Sequence, residues 1–99
     1  MANNFSLPSV GQGACFTVGS DRYPATVIKV TAKTVTLQEA NATPAAGHEY
    51  FGSQKYEFTP NPNGALRVAR WSNKSGAWKI GKYSFVSFNG YGKYSDPSF

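Results

Sequence analysis

Hydrophobic and polar positions alternate with a period of two along much of this chain, the spacing of half-buried β-strands. Residues 25–31 set Thr26, Ile28 and Val30 against Val27 and Lys29. Residues 34–38 set Val35 and Leu37 against Thr34, Thr36 and Gln38. Ala32-Lys33 supplies a two-residue reversal between them, so the two segments are expected to pair as a hairpin. Residues 55–59 place Tyr56 and Phe58 on one face, and Asn61-Pro62-Asn63-Gly64 is the clearest turn signal in the chain. Beyond that turn, residues 65–71 are expected to return antiparallel to the strand before it. Further strands at 77–80 and 83–88 are set off by reversals at 73–76 and at Gly81-Lys82.

Residues 41–47, small, polar and interrupted by Pro44, read as a loop. Residues 1–13, with Pro8, Gly11 and Gly13, read as an irregular arm, and the Gly- and Tyr-rich residues 89–99 as a tail. With the first strand beginning near Ala14, about seven short strands and little or no helix result. The expected fold class is all-β, a small antiparallel barrel or a compact sandwich.

The length of 99 residues suits one domain over 1–99, because two cores would each bury too little surface to offset chain entropy. Charged residues make up only 15% of the chain, yet the net charge is +5. Such a field attracts phosphates, nucleic acid, acidic protein surfaces or anionic lipid heads. No apolar run approaches the roughly 20 residues needed to span a bilayer, and residues 1–10 carry no basic start or apolar core of a secretory signal. Neither a membrane partner nor a secreted location is expected. The lone Cys15 rules out an internal disulfide and fits a reducing cytoplasm.

Catalytic chemistry finds little support. One histidine, one cysteine and five scattered acids do not form a metal-ligand pattern. A nucleophile would depend on His48 as its only imidazole, and no carboxylate pair is implied by spacing. Gly11-Gln12-Gly13 lacks the following Gly and Lys-Ser/Thr of a phosphate loop. The expectation is a binding protein without cofactor or metal.

The cationic and aromatic residues are the better candidates. Arg22, next to Tyr23, is suited to phosphate or to a surface pair with Asp21. Arg67 and Arg70, three apart on one strand, must face opposite ways. If Leu66 and Val68 point into a barrel, Arg70 shares their face at the strand end, where a pocket mouth would lie. Trp71 and Trp78 flank the 73–76 turn and are placed to meet across a hairpin, with Lys79 beside them; core packing and base stacking both remain open, core packing being favoured for Trp78. Phe51, between a loop and a strand, is unusually placed for a core residue. Tyr91, Lys93 and Tyr94 are available as an interface, a pocket cover or a solvated end.

The order Gly13-Ala14, Ser20-Asp21-Arg22-Tyr23, Thr26-Val27-Ile28, Gln54-Lys55-Tyr56-Glu57-Phe58, Asn61-Pro62-Asn63-Gly64, Leu66-Arg67, Trp71 and the closing Tyr94-Ser95-Asp96-Pro97-Ser98-Phe99 resembles small phage-encoded Thoeris anti-defence proteins. The resemblance implies a sponge in the cytoplasm of an infected bacterium. It would sequester cyclic ADP-ribose isomers or cyclic oligonucleotides uncleaved, as a dimer or a multiple of dimers. It would make Arg22 a phosphate contact, Phe51 an adenine platform, Asn61 a polar contact, and Arg70 or Lys79 a second phosphate contact. The partner expected first is thus a small anionic nucleotide; nucleic acid on an open basic face, or a protein target, is the alternative.

Overall fold

The computed structural model describes residues 7–95. Of the arm expected over 1–13 and the tail expected over 89–99, residues 1–6 and 96–99 lie outside the described residues. Eight strands form: β1 (Gly13–Val18), β2 (Asp21–Val30), β3 (Thr34–Glu39), β4 (Asn41–Pro44), β5 (Tyr56–Thr59), β6 (Leu66–Ser72), β7 (Ala77–Ile80) and β8 (Ser84–Ser87). Six of them close a barrel in the order β1-β2-β3-β6-β7-β8, and β4 and β5 make a separate two-stranded sheet. The all-β barrel expected from the alternation is therefore present, with one strand more than the pattern suggested.

The extra strand is β4, within residues read as a loop. It pairs with β5 from Asn41↔Thr59 to Pro44↔Tyr56. Pro44 is tolerated because it ends a strand in a two-stranded sheet, where a lost N–H costs little. β5 does not pair with β6, as the 61–64 turn had suggested. β3 bends at Ala40 into β4, and β5 runs back toward β6, which pairs with β3. The four strands make one long hairpin whose lower half belongs to the barrel and whose upper half projects from it. The turn at 61–64 is a kink in one arm. Gly64 allows it, since a side chain there would collide with the Glu39 carbonyl.

The β2–β3 hairpin forms as expected, with Thr31 N–H donating to the Thr34 carbonyl across Ala32-Lys33. The facing pattern in β2 differs. The register shifts between Val27 and Lys29, so Ile28 bulges outward and Val27 and Val30 both turn toward the core.

The barrel interior alternates small and large residues. Ala14, Ala25 and Ala69 are fully buried beside Phe16, Val27, Val35, Leu37 and Trp78. Six strands enclose a narrow lumen, and three alanines leave room for the larger rings. Ala69 inside fixes the parity of β6: Arg67 and Trp71 follow it inward, while Leu66 and Val68 are 61% and 43% exposed. The expectation that Leu66 and Val68 line the lumen is thus reversed, and Arg70 follows them outward. Arg67 caps one end of the barrel, its guanidinium 5.0 Å from the Phe16 ring centroid and 2.8 Å from the Glu39 carboxylate.

Residues 91–94 lie along the outside of β1 and β2. Tyr91 exchanges a 2.8 Å hydrogen bond with the buried Thr26 hydroxyl and stacks on Phe58 of β5. Tyr94 pairs with Arg22 through reciprocal backbone hydrogen bonds of 2.8 and 3.0 Å, on the stretch of β2 that β3 leaves uncovered.

Candidate functional site

Cross-strand register brings three of the cations, Arg22, Lys79 and Arg70, into one row around the barrel. Arg22 is opposite Thr17, whose Oγ1 accepts a 3.0 Å hydrogen bond from Phe85 N–H. Phe85 is opposite Lys79, Lys79 is opposite Arg70, and Arg70 is opposite Thr34. Opposed residues of an antiparallel pair project to the same face. The row on the outer wall therefore runs Arg22, Thr17, Phe85, Lys79, Arg70.

Two shallow depressions lie along it. One of about 310 Å³ is lined by Val68, Arg70, Trp71, Ser72, Lys79 and Gly81. The other, of about 370 Å³, has Cys15, Thr17, Arg22 and Phe85 in its wall. Between them the Lys79 ammonium sits 5.0 Å from the centroid of the Phe85 ring, whose residue is 45% exposed. Arg22, Arg70 and Lys79 form no ion pair among the described residues. Two adjacent cations without a carboxylate, beside an exposed ring, can meet a phosphate and a planar base together.

The sequence candidates divide three ways. Arg70 and Lys79 come together, and Arg22 joins them on the same row. Tyr23 and Trp71 face inward: Tyr23 packs its ring 5.8 Å from Phe16 under the Lys93 ammonium at 4.1 Å, and Trp71 crosses Trp78 edge to face at 5.8 Å while its indole N–H donates to Asn73. Trp71 still reaches the rim of the first depression. Phe51 and Asn61 stand apart. Phe51, 82% exposed, lies in the loop at the tip of the projecting hairpin against Tyr50, and the Asn61 side chain caps the backbone N–H of Asn63 within the kink.

Sequence reasoning missed Phe85. The signal was the spacing of Phe85 and Phe88, three apart in the strand expected over 83–88 and so on opposite faces: Val86 and Phe88 pack on the core, which leaves Phe85 outside.

Local electrostatics reach the strand beneath. Burial pushes the Cys15 thiol above its ordinary value, and the Arg22 guanidinium partly offsets this. Partial burial, then Asp21, whose carboxylate accepts from the Tyr23 hydroxyl at 3.4 Å, raises Tyr23.

Fold and row together define a small closed antiparallel barrel with a cationic and aromatic outer face. Comparison with protein-family models, with curated proteins and with solved structures gave no match to this chain.

Proposed function

We propose that the protein binds a small phosphate-bearing nucleotide on the outer face of β6, β7 and β8, and holds it without chemical change. The observation that supports this best is the register pair Arg70 and Lys79, un-neutralised and next to the exposed Phe85 ring. Phosphate oxygens accept from the guanidinium fork and the ammonium, and the base stacks on Phe85. The residues on this face offer no nucleophile with an adjacent base, so binding alone is the role they suit.

The resemblance to anti-defence sponges makes a cyclic ADP-ribose isomer or a cyclic oligonucleotide the first ligand to try, and sequestration the biological role. Tight retention would require desolvation beyond what a shallow wall provides. A second subunit covering this face would supply it, consistent with an oligomeric sponge.

The test is calorimetric titration with cyclic ADP-ribose isomers, cyclic oligonucleotides and AMP, at low and high salt, followed by chromatographic recovery of the ligand. Saturable binding with the ligand returned intact supports the reading. Ligand turnover, or no binding to any of them, overturns it.

A further inference from the structure

The cationic row extends past the pair that carries the proposed function, and its far end repeats the same chemistry. Tyr94, 41% exposed, is the antiparallel partner of Arg22 and therefore stands on the same side of the sheet. The outer wall thus carries one cation–ring contact, Lys79 over Phe85 beside Arg70, and one register pair of ring and cation, Tyr94 with Arg22. Thr17 lies between them, a small polar residue that leaves the wall low. At about 4.8 Å per strand, Arg22 lies roughly 14 Å around the wall from Lys79 and about 19 Å from Arg70.

A mononucleotide covers one of these and leaves the other unused. An open, curved wall with alternating rings and cations matches a flexible strand, whose phosphates recur along the chain and whose bases splay outward to stack. We infer that the row from Arg70 to Tyr94 is a track for a linear single-stranded oligonucleotide, with one phosphate on Arg70 and Lys79 and a later one on Arg22. This rests on the reading of Arg70, Lys79 and Phe85 as a nucleotide site, and it extends that site from a single nucleotide to a strand. The second depression, lined by Arg22, Thr17 and Phe85, is the space the middle of the strand occupies. Selection by length follows, and selection by sequence does not, since rings and cations on an open face accept any base.

The two ideas separate in one experiment. The full-length protein is titrated with AMP and then with linear deoxyadenylates of increasing length, using wild type, Arg22→Ala, Tyr94→Ala and Arg70→Ala. Circular dichroism confirms the fold of each variant, and Arg22→Lys, which keeps the charge, serves as a second probe. The expected result is affinity that climbs with length and then levels. Arg22→Ala should remove about tenfold of the long-strand affinity, as for a lost charged hydrogen bond, and leave unchanged the AMP binding that depends on Arg70, while Arg22→Lys retains most of the gain. Arg70→Ala should weaken every member of the series. If AMP binds through Arg70 but affinity does not grow with length, or grows equally in Arg22→Ala, the track is wrong and the nucleotide site stands. If neither AMP nor any strand binds while a cyclic ADP-ribose isomer or cyclic oligonucleotide does, the track is wrong and the nucleotide site stands; if none of these ligands binds, both fall.

Discussion

The Tyr91 ring lies nearly parallel to that of Phe58, with centroids 5.6 Å apart and planes 15° apart. One residue of the tail thereby fastens the projecting β4–β5 sheet to the barrel, because the Tyr91 hydroxyl is bonded to Thr26 on β2. Backbone contact reinforces the placement: a side chain at Gly13 would press on Tyr91.

Tyr91→Phe should keep the stack and lose the hydroxyl bond, leaving the buried Thr26 hydroxyl unpaired, at a cost of about 1–3 kcal/mol. Tyr91→Ala should cost more and release the hairpin. Urea denaturation gives the first number. Amide exchange across 41–59 reports the second, with faster exchange there than in the barrel strands.

Trp78→Ala should destabilise the protein by about 3–5 kcal/mol, since the residue is 5% exposed and central to the lumen. Against the roughly 5–15 kcal/mol typical of a folded domain, that is a large fraction of the stability. A thermal midpoint close to wild type would mean the lumen collapses around the void.

Gly64→Ala should be costly for a different reason. The new methyl meets the Glu39 carbonyl oxygen, an unyielding backbone atom. A loss of about 1–3 kcal/mol, typical of overpacking, is expected. Gly19→Ala, with nothing near the added methyl but a φ of +60°, separates backbone strain from collision.

Stability should fall with rising pH in the alkaline range. Burial raises the Cys15 thiol above its ordinary value of 9.0, so the folded state holds its proton more tightly than the unfolded chain. The contribution is complete below about pH 9 and is lost as pH rises through the folded-state value. Tyr23, raised above 10.0, acts in the same sense at higher pH. Denaturation midpoints measured from pH 8 upward should therefore decline, and Cys15→Ala should flatten the first part of the decline. An identical slope in the variant would show that the thiol is not responsible.

Arg70→Ala and Lys79→Ala should each lower nucleotide affinity by about tenfold with the fold intact, each removing a charged contact. Phe85→Ala should weaken base-bearing ligands and leave inorganic phosphate unaffected. Calorimetry with both ligands distinguishes the two roles.

How far the sequence could be read depended on whether a feature was local. Alternation over 34–38 placed Val35 and Leu37 in the core because period and burial coincide in a regular strand. The outward bulge at Ile28 has no marker in the residues around it, so parity beyond it could not be followed. The long hairpin was hidden for a related reason: β5 pairs with residues 12 to 18 positions earlier, Tyr56 with Pro44 and Thr59 with Asn41, while the turn signal at 61–64 is local and points to the wrong neighbour. Arg70 and Lys79 were legible as cations but their adjacency depended on register. Arg67 and Arg70 were correctly placed on opposite faces. Which face was inside rested on Ala69, whose small size gives no hydrophobic emphasis.

The barrel is shut by a short seam, since β1 and β8 share only the register pairs Cys15↔Ser87 and Phe16↔Val86. A chain emerging from the ribosome exposes its first strand long before its last, so β1 keeps one bare edge until residues 84–87 have been made. During that interval the unsatisfied amides and carbonyls of β1 are open to a neighbouring nascent chain. The later residues 84–87 are made, the longer that edge stays exposed.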